Sequence, residues 1–474
     1  MPFCPSIPRP DPHELRRLLA LMLPLYIGNL MQMGMGVIDT IVAGHAGAGE
    51  LAGVALACAL VAPVLCSVGA VISMVAPMIS RLRGAGCAGK VGYLLLQAKW
   101  LALGLTLLEC AVLAAGHFLW PLVTEDAALR ATADAYIGFF LLGVPGNLLL
   151  RVALAYFEGS GRTRPGMLFS LMGLLLNIPL NIILVFGCGP IPALGGAGCG
   201  LATAMIYWCM ALGALGLMRL SPGSREQLRT MLTTRRPDLR LMGRILRLGS
   251  PVAFATLSEV GFFCVITMII APLGERVVAA NQVSISISSL IFMYPLSLGW
   301  AVAIRAGYHI GAENARAFRR MVRTALPLLA GGVLFFMLGT LMGRDSLIAL
   351  YTQDPEVHAT ARVLLLLCAL YQIPDGIQSF LNGLLRGCQD TKAISRATII
   401  GYWGVGFPLA CVLIRTDWIV PAMGAAGAWV SFIVSLSLVA LLLGLRYRRT
   451  ARRLFPEEKN AKNRAREPKS RHFA

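Results

Sequence analysis

Charge is what this chain has least of. Asp, Glu, Lys and Arg make up 14% of its 474 residues, against roughly 25% in ordinary soluble domains. That excludes a string of water-soluble domains. Metal and redox patterns are missing as well. The 12 cysteines include no C-x-x-C and lie mostly in apolar stretches, so they read as small packing residues rather than a disulfide framework. Six scattered histidines (His13, His45, His117, His309, His358 and His472) form no H-E-x-x-H, which leaves metalloenzyme chemistry without support. A membrane-embedded enzyme would need a nucleophile–base or metal cluster, and none is found, so neither catalytic residues nor a cofactor are expected. A sensor would need an appended signalling domain, and the linker and tails are too short for one. The first 14 residues are polar and Pro-rich, and the first apolar run is too long for a signal-peptide core, so no cleaved signal is expected.

What the chain has instead is long apolar runs. Twelve are about 20 residues or longer, the length that crosses a bilayer as a helix. Their limits are near 15–43, 52–80, 91–119, 134–157, 165–187 and 196–218, then 241–272, 278–308, 321–343, 360–386, 393–414 and 423–445. A transmembrane barrel would show short alternating segments. The fold predicted is an all-α polytopic membrane protein with 12 transmembrane helices. Lys and Arg set its orientation. They collect on one side, at Arg16–Arg17, Arg81/Arg83/Lys90, Arg162/Arg164, the 219–247 connection, Arg316–Arg323, Lys392/Arg396 and the tail from Arg446. Both termini are therefore expected in the cytoplasm, and the net charge of +19 is a consequence of topology. No folded soluble domain carries that charge, so no nucleic-acid partner is expected.

The two halves repeat. Pro24 corresponds to Pro251, "GAG" at 84–86 to "GAE" at 311–313, "EGSGRT" (158–163) to "RGCQDT" (386–391), and "PALGGAGCG" (192–200) to "PAMGAAGAW" (421–429). The reading is an N-terminal tail 1–14, a six-helix bundle 15–220, a polar surface linker 221–240, a second six-helix bundle 241–446 and a basic tail 447–474. Six is even, so both bundles insert the same way. Their pseudo-symmetry axis then runs along the membrane normal, and a substrate site is expected between them.

Four acids lie inside spans: Asp39, Glu109, Glu259 and Asp375. A charge at the bilayer centre costs about 2.5–3.5 kcal/mol on insertion scales, so function is the default reading. Glu259 follows Arg247 by 12 residues and Asp375 precedes Arg386 by 11. Both therefore lie roughly 17 Å from the basic boundary, near the midplane. Two carboxylates at one depth can share a proton or hold a cation, and Tyr371, one turn before Asp375, can add an oxygen. Asp39 falls in the outer part of span 1. Asn177 and Asn181 share a face of span 5, as helix glue or as the wall of a polar cavity. Gln32 stands where Glu259 stands in the other repeat, so the coupling ion is expected to favour the second half. Glu109 and Arg151, on adjacent antiparallel spans, can neutralise each other as a structural ion pair. Pro145, Pro179, Pro295 and Pro374 are expected to kink their spans.

"VIDTIVAGHAG" (37–47), "PLSLGWAVAIRAGYHIGAEN" (295–314) and "YQIPDGIQSFLNGLLRGCQDT" (371–391) resemble the multidrug and toxic compound extrusion (MATE) transporters, in particular the NorM-like branch of bacterial cation-coupled antiporters. The resemblance covers essentially the whole chain. It implies two pseudo-symmetric six-helix lobes in a V shape, and export of drugs and toxic organic cations across the inner membrane against inward Na⁺ or H⁺. By the same resemblance, the family's acids in spans 7 and 10 fall on Glu259 and Asp375, a possible Na⁺ site, and its tyrosine falls on Tyr371. The span 1 acid falls on Asp39 and the paired asparagines on Asn177 and Asn181. A monomer is expected, with the basic tail on anionic lipid head groups. A lipid-linked saccharide flippase of the wider superfamily is the nearest rival. It would need basic residues lining the cleft, and only Arg151 and Lys99 qualify. A major facilitator carrier would carry a charged loop between spans 2 and 3, whereas "RLRGAGCAGK" holds no acid.

Overall fold

The computed structural model describes residues 11–190, 192–233, 235–416 and 423–455. Residues 1–10 of the amino-terminal tail, 456–474 of the basic tail and the start of the "PAMGAAGAW" landmark lie outside them. Among the described residues, eleven helices are each long and apolar enough to cross a membrane, and a bent pair makes the twelfth. The first six are α1 (Pro12–Ala46), α2 (Ala48–Gly84), α3 (Ala88–Phe118), α4 (Ala127–Leu141 and Val144–Gly159), α5 (Arg164–Phe186) and α6 (Ala197–Leu220). The second six are α7 (Leu239–Leu273), α8 (Glu275–Gly311), α9 (Ala315–Ala349), α10 (Pro355–Gly387), α11 (Lys392–Arg415) and α12 (Ala425–Leu454).

Local chemistry sets the helix starts. Asp11 caps α1 by accepting from the His13 N–H, with Pro12 at the first helical position. Asp238 occupies the equivalent place in the second repeat and caps α7 through the N–H groups of Arg240 and Leu241. Both satisfy donors that a helix start leaves free. The two pieces of α4 meet at 46°, with Pro145 at the start of the second piece, the kink that its missing N–H favours. The linker is more than a polar surface connection. Its helix Pro222–Leu232 buries Ser224, Leu228 and Met231 against the first bundle. Its end is pinned to α3, where Gln97 accepts from the Asp238 N–H at 2.8 Å and the Tyr93 hydroxyl donates to Asp238 at 3.0 Å.

Two apolar cores correspond to the two bundles, and they exchange their first helices at the basic end. Leu18, Leu21 and Met22 of α1 pack in the core of the second bundle, while Ile245 of α7 packs in the core of the first. The bundles are joined there by polar contacts too. Arg305 of α8 grips Glu14 of α1 with two hydrogen bonds of 2.8 Å and gives a third, of 3.0 Å, to His309. Ser80 donates to the Ile304 carbonyl at 2.7 Å and Arg81 to Gln389 at 3.1 Å. Gly84 lies against the Tyr308 carbonyl and Gly311, its counterpart in the repeat, against the Arg81 carbonyl. Any β-carbon at either position would clash with backbone, so this crossing of α2 and α8 requires glycine twice. Moving outward, the last hydrogen bond between the bundles among the described residues is Asn29 to Ser297, at 3.0 Å. Beyond it Gln32, Gly36, Val37, Thr40 and Ile41 of α1 are exposed. The bundles are closed at the basic face and part toward the other, as a V.

Candidate functional site: acids inside the two bundles

In the first bundle, α1, α5 and α6 converge on Asp39. Asn177 and Asn181 both donate their amides to Oδ1, at 2.9 and 2.6 Å. The Thr203 hydroxyl donates to Oδ2 at 3.4 Å. The asparagines are one turn apart on α5, so both reach the same oxygen. Each amide nitrogen turned to Asp39 leaves its carbonyl oxygen buried without a partner. The pocket therefore has its donors used and two hard acceptors free. Gln32 does not join it. Two turns before Asp39 on the same stripe of α1, it is exposed and bonds to none of these residues.

The second bundle is arranged differently. Tyr402 of α11 accepts from the Gln378 amide at 2.8 Å and can donate to Glu259 Oε1 at 3.1 Å. Gln378 Nε2 itself lies 3.5 Å from that oxygen. Tyr402 stands on a π-helical segment, Ile399–Gly406, a distortion that often marks functional sites. Its ring stacks on Phe262 at 5.2 Å, and Gly406 admits the Phe262 ring, since a β-carbon there would lie 2.8 Å from it. Asp375 is buried (3% exposed), and its Oδ1 has no partner. It faces a small cavity walled by Ser288, Tyr294 and Pro295 of α8, Val333 and Phe336 of α9, and Gln372 of its own helix. Glu259 lies within electrostatic reach, yet no hydrogen bond joins the two acids. Tyr371 adds no oxygen here. Its ring packs among Phe263, Trp429 and Phe432, and no hydrogen bond links it to either carboxylate among the described residues.

Two expectations change. Glu109 and Arg151 form no ion pair: neither Glu109 oxygen has a partner, nor has Arg151 Nε. The Arg151 guanidinium instead packs on Gly69 of α2, where a β-carbon would lie 2.7 Å away. It acts electrostatically on Glu158 of its own helix as well as on Glu109 of α3. Arg386, read as a boundary residue, is drawn into the second bundle within electrostatic reach of Glu259. The residues that the sequence reading missed are Gln378, Tyr402, Thr203, Arg386 and Glu158. Gln378 lies three residues past Asp375 and seven past Tyr371, so helical spacing could have found it. Tyr402 could not be found that way, because a π-helical turn shifts the register on which such spacing rests.

Comparison with known proteins agrees with this architecture. The MatE family model matches the chain twice, at residues 24–183 and 251–412, once per repeat. The multidrug resistance protein MdtK of Edwardsiella ictaluri (strain 93-146) is 37% identical over 436 residues, 92% of this chain and 95% of its own. A crystal structure of the eukaryotic MATE transporter AtDTX14 aligns with a TM-score of 0.83 at 21% identity, over 94% of this chain and 99% of that one. The VcmN transporter of Vibrio cholerae, in its bent form, aligns with a TM-score of 0.81 at 18% identity, over 93% and 98%. The double match and the close, full-length relative settle the kinship: this chain belongs to the MATE family of membrane transporters.

Proposed function

We propose that the protein is a cation-coupled multidrug efflux antiporter of a bacterial inner membrane, exporting amphipathic, often cationic compounds while Na⁺ or H⁺ moves inward. The observation that carries the coupling is Asp375: a buried carboxylate oxygen without a partner, beside a cavity and near a second acid. Such an oxygen is costly in a membrane interior unless a proton or cation satisfies it. The chemistry of the donors fits a hard cation, since beside the carboxylates Asn177, Asn181, Thr203, Gln378 and Tyr402 offer amide and hydroxyl oxygens. The name of the MdtK relative supports the drug substrates.

On this reading the basic face is cytoplasmic, and the closed latch of Glu14, Arg305 and His309 belongs to an outward-open state. A cation entering from outside reaches Asp375 and Glu259 and neutralises them. The cleft then loses its hold on a cationic substrate, and the equilibrium of the bundles shifts by the difference in cation affinity between states. A membrane potential adds roughly 2.3 kcal/mol per charge per 100 mV. Arg386 has a role in the empty state: it is a tethered cation that offsets the Glu259 charge until the mobile ion arrives. The flippase rival loses ground. Lys99 is engaged by the Thr233 carbonyl at 3.2 Å and Arg151 is packed on α2, so neither is free to hold a pyrophosphate. The test is dye efflux in inverted vesicles energised separately by a Na⁺ or a pH gradient. Export under one gradient and none without a gradient is expected; equal export without any gradient refutes the coupling.

A further inference from the structure

The outer wall of the second bundle holds a groove of about 400 Å³ between α10 and α12. Ile373, Pro374, Ile377 and Leu381 form one wall. Leu441 and Gly444 lie on the other, with Ser437 at one end and Arg448 at the other. From Ser437 to Arg448 is 11 residues, about 16 Å along a helix. That is half of a hydrocarbon core about 30 Å thick, the depth of a single leaflet. The lining is apolar along this length and ends in one cation. Arg448 is exposed and has no acid partner among the described residues, whereas Arg446 nearby is held by Asp390 at 2.7 and 3.1 Å. Arg452, one turn further on, is exposed as well.

We infer that this groove is a binding site for one anionic phospholipid of the leaflet bordering the basic face, its acyl chain between α10 and α12 and its phosphate on Arg448. Length and charge together choose this occupant. A neutral amphiphile would fill the slot without using the arginine, and a phosphate alone would leave the apolar walls uncovered. The site lies directly behind the ion-facing segment: Pro374 lines the groove, and its neighbour Asp375 faces the inner cavity. Proline cannot donate to the Leu370 carbonyl, which leaves α10 deformable at this turn. A chain packed against Pro374 holds the turn that aims Asp375 inward, so occupancy tunes ion coupling. This last step rests on the antiport reading; the binding itself does not.

Gly444 supplies a direct test. A β-carbon there would meet only Leu381, at 3.8 Å, so Gly444→Phe fills the groove from its own wall. Full-length purified protein is titrated with phosphatidylglycerol or phosphatidylcholine of identical chains, and bound lipids are counted by native mass spectrometry. Wild type is expected to retain one phosphatidylglycerol at least tenfold more strongly than phosphatidylcholine. Arg448→Gln should bring the two lipids to within twofold of each other, and Gly444→Phe should lose the retained lipid of either kind. Helical content by circular dichroism confirms that each variant is folded. Equal retention of both lipids by wild type, or wild-type selectivity in both variants, overturns the site. Dye efflux on the same preparations separates the two claims: wild-type vesicles without gradient-driven efflux refute the antiport reading and leave the lipid count standing.

Discussion

The two bundles carry buried acids in opposite states of satisfaction. Asp39 receives three side-chain donors. Asp375 receives none on its free oxygen, and its neighbour Glu259 leans on Tyr402 and Gln378. The repeat therefore kept the scaffold and redistributed the polar groups. A charged Asp39 is solvated by protein donors, whereas the free oxygen of Asp375 has only the small cavity beside it. On the antiport reading proposed above, the second bundle is the one that captures the cation, and the first can hold one or wait without it.

Substitutions break or sharpen this contrast to different degrees. Asp375→Asn removes the unsatisfied charge and should leave the protein in the membrane while lowering gradient-driven efflux by about 100-fold or more; quantitative dye transport in vesicles measures it. Glu14→Gln acts on both bundles at once. It strands Arg305, whose side chain is only 11% exposed, and breaking one side of a buried pair costs about 3–5 kcal/mol. The closed basic face should lose at least tenfold in population, read as a distance change between spin labels on the ends of α2 and α8. Tyr402→Phe removes one hydrogen bond from Glu259, worth about 1.5–3 kcal/mol for a charged acceptor. The apparent affinity for the coupling ion should change about tenfold with little loss of folded protein, whereas Thr203→Val, cutting the longest of the three bonds to Asp39, should change it less than threefold. The smallest effect lies outside the spans. Burial pushes the Asp390 carboxyl up, but hydrogen bonds from Arg446 and Thr450 outweigh it and hold the group below its ordinary range. Stability from this clamp is thus present above the unfolded value near 3.8 and fades as pH falls through the lower folded value. Thermal melts of Asp390→Asn should lie slightly below wild type at neutral pH and begin to converge with it only as pH falls below the unfolded value.

The fold was legible because its cause is simple. Apolar runs long enough to span have few alternatives, and landmarks such as Pro24 with Pro251 tie the two halves together. The Asp39 cluster was legible in its members, since Asn177 and Asn181 share a helix face. Contacts between spans were not legible. Depth counting put Glu259 and Asp375 at one level, but rotation about α10 turns Asp375 toward α8 and α9 and leaves Glu259 to Tyr402. The same limit misplaced Arg151, whose guanidinium packs on Gly69 because a glycine on another helix leaves room for it. Glu14 drew no notice in the sequence, because its partner Arg305 lies on the other repeat and only the closed arrangement of the bundles brings them together.

The central claim is that the second bundle captures the coupling cation at Asp375. Its most direct test counts cations bound by purified protein at neutral pH, ²²Na⁺ by equilibrium dialysis and protons by uptake, in wild type, Asp39→Asn and Asp375→Asn. Loss of one bound cation in Asp375→Asn, with the count kept in Asp39→Asn, is the predicted result. An unchanged count in Asp375→Asn, or a loss confined to Asp39→Asn, would contradict it.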